Sequence, residues 1–287
     1  MIDLHLHTTA SDGTSTPEAL VAKVRAAGIR VMSVTDHDTT AALAVVRGLA
    51  ERHGIEFLNG IEITSVVDEH DVHVLGYAFD TDCPKLAAFL RAQRADRVRR
   101  VRAIGARLVD LGVPVDVEAV IAVAEHHGGR SVGRPMIADA LVRAGHARSR
   151  QDAFTRYLGR ERPAYVPRTG PPPHEVVGII NEAKGLASLA HPGVTKQDAC
   201  IPSMAQAGLA ALEVYHSDHA SRHRARYSRL ARELGLAVTG GSDFHGEESG
   251  RPRPLGAVSL PRRHYEALVE VARTRECADV PRRVLPA

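Results

Sequence analysis

The sequence predicts an α/β fold in which a mostly parallel sheet is covered by helices and interrupted by an inserted, all-helical subdomain. Short apolar runs of strand length alternate with helical segments over residues 1–80 and again over 166–287. This alternation is typical of strand–helix units. Residues 81–165 show only helical periodicity. We therefore expect a sheet domain made of both flanking segments and a helical insertion that covers the substrate.

The first predicted strand, residues 2–7, alternates apolar and imidazole side chains. Because successive side chains of a strand point to opposite faces, Leu4 and Leu6 should face the core. His5 and His7 should then converge on the other side. Two imidazoles at the end of a buried strand have the geometry that a divalent cation needs, although a His-x-His pair alone is weak evidence.

The remaining elements follow from the same patterns. Helices begin at capping signals such as Ser15-Thr16-Pro17-Glu18 and end at glycines such as Gly28. Further strands are predicted at 30–35, 55–58, 61–67, 72–77, 186–190, 209–215, 236–239 and 256–260. Helices of the flanking segments are predicted over 17–27, 43–53, 174–184, 197–207, 219–234 and 262–273. Helices of the insertion are predicted over 84–111, 116–127, 133–144 and 149–158, before a proline-rich extended return at 161–173.

Composition limits the class of protein. No run of about 18 apolar residues is present, so we expect no membrane span. The N-terminus lacks the basic and apolar regions of a signal peptide. The three cysteines are far apart and form no C-x-x-C pair, which indicates a reducing compartment. We predict a cytoplasmic protein.

The net charge of +3 is unevenly distributed. Residues 81–168 carry 17 Lys and Arg against 9 Asp and Glu, a balance of +8, so the rest of the chain carries −5. This indicates an anionic substrate, although solvated helix faces of an arginine-rich protein would give the same balance. A row of arginines in the first inserted helix is expected to be mostly solvated: Arg91, Arg94, Arg97, Arg99, Arg100 and Arg102.

Candidate metal ligands recur after the carboxyl ends of the predicted strands, where barrel enzymes build their active sites. They are His5, His7, Asp12, His37, Glu62, His73, His191, Asp243 and His245. Imidazoles with carboxylates suit Mn²⁺, Zn²⁺ or Fe²⁺ better than Ca²⁺, and we expect Mn²⁺. Nine ligands exceed the need of one ion, so two or three ions are predicted, with Glu62 bridging. Taken singly, His73 could be a core histidine and Asp243 a turn cap.

These motifs resemble those of the polymerase and histidinol phosphatase (PHP) family. The similar stretches are His5-Leu6-His7 with Asp12, Thr35-Asp36-His37, Glu62, His73, Ala190-His191-Pro192 and Ser242-Asp243-Phe244-His245. The resemblance implies a distorted (β/α)₇ barrel and a trinuclear site that hydrolyses phosphoesters through a metal-bridging hydroxide. It also implies three ligand sets: His5, His7, Glu62 and Asp243; Glu62, His73 and His191; and Asp12, His37 and His245.

The insertion and Gly133-Arg134-Pro135 resemble a stand-alone branch of the family that acts on nucleoside 3′,5′-bisphosphates, removing the 3′-phosphate, or on short RNA ends. Arg134 at a helix start, beside Arg130 and Ser131, would make an anion clamp. Alternatively, Arg134 pairs with a carboxylate across the insertion. His219 is expected at the rim, as a further candidate substrate contact.

Several alternatives stay open at this point. The same chemistry could act on histidinol phosphate, on a phosphodiester or at short RNA ends. A non-catalytic metal-bound module that assists a polymerase and an amide hydrolase are rivals of other classes. Only 4% of the residues are aromatic and none is Trp, so a small nucleotide or short oligonucleotide fits better than a long nucleic acid. The sequence does not predict the oligomeric state.

Overall fold

The computed structural model describes residues 1–126, 129–249 and 253–281. Its strands form two sheets. The first has the order β1-β2-β3 and consists of β1 (Ile2–Leu6), β2 (Val31–Val34) and β3 (Glu56–Phe57). The second has the order β4-β5-β6-β7-β8 and consists of β4 (Gly60–Val67), β5 (His70–Tyr77), β6 (Leu186–Leu189), β7 (Ala211–His216) and β8 (Ala237–Gly241).

Most neighbouring strands are parallel, as predicted. The first sheet is parallel throughout, and so are the β6-β7 and β7-β8 pairs. The exceptions are β4-β5 and β5-β6, which are antiparallel. The β4-β5 hairpin turns at Asp68 and Glu69, which both have positive φ (47° and 62°). Two such residues form the tight turn whose twist matches antiparallel strands.

The two sheets meet at isolated bridges rather than through continuous ladders. Leu6 of β1 bridges to Phe244, just after β8, and His37, just after β2, bridges to Glu62 of β4. Both bridges lie beside predicted metal ligands. The described strands form no continuous closed sheet, so the α/β class is confirmed whereas the (β/α)₇ barrel is not.

The helices cover the sheets and fill the insertion. They are α1 (Pro17–Ala26), α2 (Leu43–Arg52), α3 (Pro84–Asp110), α4 (Val117–His126), α5 (Arg134–Arg143), α6 (Arg150–Ala153), α7 (Pro173–Glu182), α8 (Pro192–Thr195), α9 (Ile201–Gln206), α10 (Ser221–Glu233) and α11 (Arg262–Thr274). As predicted, α1 starts with a hydroxyl cap, because Thr16 Oγ1 accepts a hydrogen bond from the backbone of Ala19. In the described residues, no helix combines the length and the apolar character needed to span a membrane.

One predicted strand is wrong, and one predicted helix is shorter than expected. Residues 256–260 form a turn and an extended stretch instead of a strand, since Gly256 adopts a positive φ of 77°. Leu260 nevertheless donates a backbone hydrogen bond to Ile2, so this stretch still lies along β1. The predicted helix 197–207 is a short 3₁₀ turn followed by α9. Pro202 lacks an N–H and is tolerated in the first helical turn, which explains the late start of α9.

The segment between β5 and α7 contains α3 to α6 and a π-helical turn at Phe154–Leu158. Most buried apolar side chains of these helices form their own cluster, whereas Leu86 and Leu90 at the start of α3 belong to the main core that surrounds the sheets. The cluster includes Val101, Ile104 and Leu141. The last residue of the predicted helix 116–127 and the chain end at 282–287 lie outside the described residues. The division at residues 81 and 165 stays a prediction.

Candidate metal centre

The polar face of β1 starts the site. His5 and His7 are completely buried, and Leu4 and Leu6 on the opposite face belong to the main hydrophobic core. The alternation of the sequence is therefore realised as predicted. The core fixes the strand, and the strand directs both imidazoles to one point.

The structure brings all nine predicted ligands together. Five follow the carboxyl end of a strand: His7 after β1, His37 after β2, His191 after β6, and Asp243 and His245 after β8. Glu62 lies within β4 and His73 within β5. Two of these ligand candidates have a strained backbone, because φ is 55° at Asp243 and 27° at His191. Unfavourable backbone conformations of this kind concentrate at functional sites.

Glu62 is at the centre of the cluster, and its two carboxylate oxygens face different histidines. Oε2 lies 3.3 Å from His7 Nε2, 3.2 Å from His37 Nδ1 and 3.5 Å from His5 Nε2. Oε1 lies 2.7 Å from His73 Nδ1 and 3.1 Å from His191 Nε2. A carboxylate placed in this way can bridge two ions.

The other two carboxylates lie on either side of Glu62. Asp243 Oδ1 lies 3.1 Å from His7 Nε2 and 3.3 Å from His5 Nε2. Asp12 Oδ1 lies 3.2 Å from His245 Nε2 and 3.8 Å from His37 Nε2. The nitrogen and oxygen atoms therefore face one another across spaces of the size of a coordinated ion.

The donor set fits divalent metal ions. Within the described part of the chain, buried nitrogens of His5, His7, His37 and His73 have no hydrogen-bond partner. Orphaned buried acceptors are costly unless a ligand satisfies them. Four groups of residues have ligand atoms within 4.8 Å of one another: His7, Asp12, His37 and His245; His5, His191 and Asp243; His5, His7 and Glu62; and His37, Glu62 and His73. The first group contains the complete predicted set of Asp12, His37 and His245. The members of the other two predicted sets are divided among the remaining three groups.

Glu213 of β7 is a site residue that the sequence reasoning missed. It is completely buried, and Oε1 accepts a hydrogen bond from His5 Nδ1 at 2.9 Å. Its Oε2 accepts one from the backbone N–H of His191 at 2.8 Å. Burial opposes ionisation, but His5 outweighs it and lowers the pKa of Glu213 to about 2. Glu213 thus directs His5 Nε2 into the centre; an acidic residue in the middle of a mostly apolar strand was the available signal.

The protonation states support ligation by neutral imidazoles. Burial lowers the pKa of His191 to about 3, despite the neighbouring Glu62. Burial also holds the pKa of His37 well below its usual value. His5 differs: burial lowers its pKa, but Glu213 and Glu62 more than compensate and raise it to about 10. The carboxylates around His5 thus favour a positive charge at this position.

Two histidines near the centre have different surroundings. His216 is completely buried, with Nε2 3.3 Å from Asp243 Oδ2. Arg253 contacts the same carboxylate oxygen, so Oδ1 of Asp243 is left to face the ligand histidines. Both ring nitrogens of His219 are used by the backbone, Nδ1 at Val214 and Nε2 at Gly193. Both nitrogens of His219 are therefore engaged within the fold, and the predicted substrate contact of His219 stays a prediction.

A pocket rich in arginine adjoins the centre. We call it the arginine pocket; it has a volume of about 100 Å³ and shares Asp12, His37 and His73 with the metal centre. Its cationic residues are Arg97, Arg100, Arg134 and Arg168. The expectation that the arginines of α3 are solvated is wrong for Arg97 and Arg100, which are buried. Arg97 donates to Asp38 and Thr64, and Arg100 donates to the Val166 carbonyl; sequence periodicity did not reveal these distant partners.

The arginine pocket also contains carboxylates. Arg97 Nε donates to Asp38 Oδ2 at 2.6 Å, and Arg168 Nε lies 3.5 Å from Asp71 Oδ1. Arg134 Nη2 lies 3.6 Å from Asp71, so the alternative prediction of an ion pair is partly realised. Burial, followed by the repulsion of Arg97, lowers the pKa of Arg168 to about 9.

The predicted clamp residues are divided between two spaces. Ser131 and Arg134 line the arginine pocket, and the Ser131 hydroxyl has no partner among the described residues. Arg134 begins α5, as predicted. Arg130 instead lines a neighbouring open cavity of about 440 Å³, together with Asp12 and Arg143.

Comparisons with known proteins agree with this geometry. A model of the PHP domain matches residues 3–132. The 5′-3′ exoribonuclease Rnm of Escherichia coli is 35% identical over 250 residues, covering 85% of this chain and 84% of that protein. The 3′,5′-nucleoside bisphosphate phosphatase of Chromobacterium violaceum is 32% identical and covers 91% of this chain and 94% of that protein.

Solved structures give the same result. A Bifidobacterium adolescentis protein assigned as a metal-dependent phosphoesterase superimposes with a TM-score of 0.85 at 34% identity. The superposition covers 94% of this chain and 96% of the other. Together with the complete set of converging histidines and carboxylates, these similarities identify the chain as a member of the PHP family of metal-dependent phosphoesterases.

Proposed function

We propose that the protein removes the 3′-phosphate of nucleoside 3′,5′-bisphosphates, and that the nine converging residues hold two to three divalent ions, Mn²⁺ in the first place. The observation that carries this proposal is the arginine pocket beside the metal centre. A site with one phosphate over the ions and one in the arginine pocket requires a doubly phosphorylated ligand.

The charge of the arginine pocket supports a phosphate ligand. Four guanidinium groups line the pocket together with the carboxylates of Asp12 and Asp71, and Asp38 pairs with Arg97, so one positive charge is left. A phosphate monoester carries about −1.5 to −2 near pH 7. Burial and the neighbouring Arg134 lower the pKa of Arg100 to about 10, so the pocket is electrostatically unfavourable until an anion enters. Its volume of about 100 Å³ suits a single phosphate group.

The chain's own residues have distinct roles in this proposal. Arg134 and Ser131 bind and orient the 5′-phosphate, which places the 3′-phosphate over Glu62. The nine residues would hold divalent ions, which when bound would supply Lewis-acid chemistry at the phosphoryl group and a lowered pKa of water. Glu213 keeps His5 oriented toward the ions. The helical insertion acts as the substrate cap, since α3 and α5 supply Arg97, Arg100 and Arg134.

The test measures phosphate release by Mn²⁺-loaded protein from adenosine 3′,5′-bisphosphate, 5′-AMP, 3′-AMP and histidinol phosphate. We expect a strong preference for the bisphosphate. Arg134→Ala should reduce kcat/KM for it by about 10- to 100-fold, because a charge-assisted hydrogen bond is lost, while bound metal is retained. Arg99→Ala, at an exposed position that pairs with Asp96, is the matched control. Equal turnover of all four substrates would contradict the proposal.

A phosphodiester substrate is the second candidate. The open cavity of about 440 Å³ lined by Asp12, Arg130 and Arg143 gives room for the second esterified group that a phosphodiester carries on phosphorus. The relative in E. coli is named as an exoribonuclease. Release of 5′-AMP from a 5′-phosphorylated dinucleotide, at a rate comparable with that of bisphosphate hydrolysis, would favour this candidate.

A further inference from the structure

A second space, which we call the aromatic lobe, adjoins the metal centre on the side away from Asp71. It has a volume of about 290 Å³ and includes Asp12 and His245 of the metal centre. Pro135 and Phe154 line both the aromatic lobe and the arginine pocket, so they form the wall between the two spaces. A ligand anchored in the arginine pocket and over the ions therefore has this lobe directly beside it.

Phe154 gives the lobe an aromatic surface. Its side chain is only partly buried and lies at the edge of the insertion's hydrophobic cluster. Phe154 opens the π-helical turn Phe154–Leu158, in which Gly159 N donates to Phe154 O. Single π-helical turns occur frequently at functional sites, because the extra residue redirects a side chain. The Arg134 guanidinium lies 5.8 Å from the centre of the Phe154 ring, so the phosphate anchor and the ring are in contact.

The polar groups of the lobe suit a neutral, flat molecule better than a second phosphate. Arg150 is engaged by both carboxylate oxygens of Asp139, which offsets its charge. Gln151 is exposed and offers an amide donor and an amide acceptor. An aromatic face beside an amide is the combination that recognises unpaired nucleobases, by stacking and by hydrogen bonds to the base edge.

We propose that the aromatic lobe binds the nucleobase, stacked on Phe154 with its edge toward Gln151. This inference rests on the proposed function, since it assumes a nucleotide whose 5′-phosphate occupies the arginine pocket. Phe154 is then a specificity-determining residue that distinguishes nucleotides from sugar phosphates of the same charge.

The test measures equilibrium binding of 5′-AMP and ribose 5-phosphate to Mn²⁺-loaded protein by calorimetry. The two ligands share the phosphate and the ribose and differ in the base. We expect 5′-AMP to bind about 5- to 150-fold more tightly, the range that one stacked base provides. Phe154→Ala should abolish this ratio by weakening 5′-AMP alone, and Phe154→Tyr should keep it.

Tyr165→Ala is the matched control, because Tyr165 also stacks on Arg134, at 5.4 Å, but does not line the lobe. It should change the binding of both ligands by the same factor. Equal affinity of the two ligands for the wild type, or a Phe154→Ala variant that weakens both equally, would overturn the inference. Phosphate release from the bisphosphate is measured separately, so a failure of the proposed activity is distinguished from a failure of base recognition.

Discussion

Glu213 illustrates how a residue that binds no ion can determine the site. Its two oxygens hold the ring of His5 and the backbone of His191, residues that come from different sheets and lie 186 positions apart in the chain. A carboxylate that accepts the Nδ1 proton fixes the tautomer in which Nε2 carries the lone pair.

We expect Glu213→Gln to weaken metal binding by about 10- to 100-fold, because the amide holds the ring less firmly and no longer stabilises it electrostatically. Metal titration of the metal-free protein measures this change. Glu233→Gln, at an exposed position in α10, is the matched control. An unchanged dissociation constant in Glu213→Gln would contradict the positioning role.

Tyr227 provides a pH-dependent contribution to stability. Its hydroxyl donates to Asp198 Oδ1 at 3.0 Å, and burial together with Asp198 raises the pKa of Tyr227 to about 12. Because this value exceeds the unfolded value of 10, the contribution is complete below pH 10 and is lost as the pH rises toward 12. Tyr227→Phe should lower the free energy of unfolding by about 1 kcal/mol at neutral pH and flatten its decline above pH 10. Denaturant titrations at pH 7, 10 and 11.5 test this; parallel declines in both proteins would refute it.

At the scale of elements, the contact between β1 and β8 controls the geometry of the centre. A Cβ atom added to Gly241 would lie 2.4 Å from the backbone nitrogen of His5 and 2.5 Å from its Cβ. Asp243 donates its backbone N–H to His5 O just beyond this point. The absence of a side chain at Gly241 therefore allows two ligand-bearing segments to approach each other.

Gly241→Ala should destabilise the protein by about 2 kcal/mol or more, since backbone atoms rather than flexible side chains must move. It should also weaken metal binding by displacing His5. Gly48→Ala in α2 is the control, because a Cβ there meets nothing within 4 Å and alanine favours the helix. Chemical denaturation measures both variants; equal stability of the two would show that β1 and β8 can separate at no cost.

At the scale of the molecule, the ligands connect the two sheets. His5, His7 and His37 belong to the first sheet and its loops, whereas Glu62 and His73 belong to the second. Among the described strands, β-pairing between the two sheets is limited to isolated bridges. Bound ions would therefore act as cross-links between the sheets.

Removal of metal should lower the melting temperature of the protein. An ion at 100 times its dissociation constant stabilises the folded state by about 2.7 kcal/mol, which corresponds to about 5–10 °C for a chain of this size. Calorimetry of the chelator-treated and the Mn²⁺-loaded protein measures the difference. Glu62→Gln should show little or no metal-dependent shift. A shift of full size in that variant would exclude Glu62 as the bridge.

The sequence by itself determined the parts that depend on local patterns. Alternation along residues 2–7 predicted which face of β1 carries His5 and His7, and strand-end positions predicted His37, Asp243 and His245. Side-chain periodicity and capping depend on neighbours in the chain, so they can be read without the fold.

Only the tertiary structure decided the features that depend on distant residues. The pairing of the strands into two sheets follows from packing and not from the order of elements. Glu213 meets His5, and Arg168 meets Asp71, only because distant segments lie together in the fold. Arg97 and Arg100 are buried where they bond to Asp38 and Val166, which are also distant in the chain. A buried charge is stable only beside its partners, and those partners are set by the three-dimensional fold.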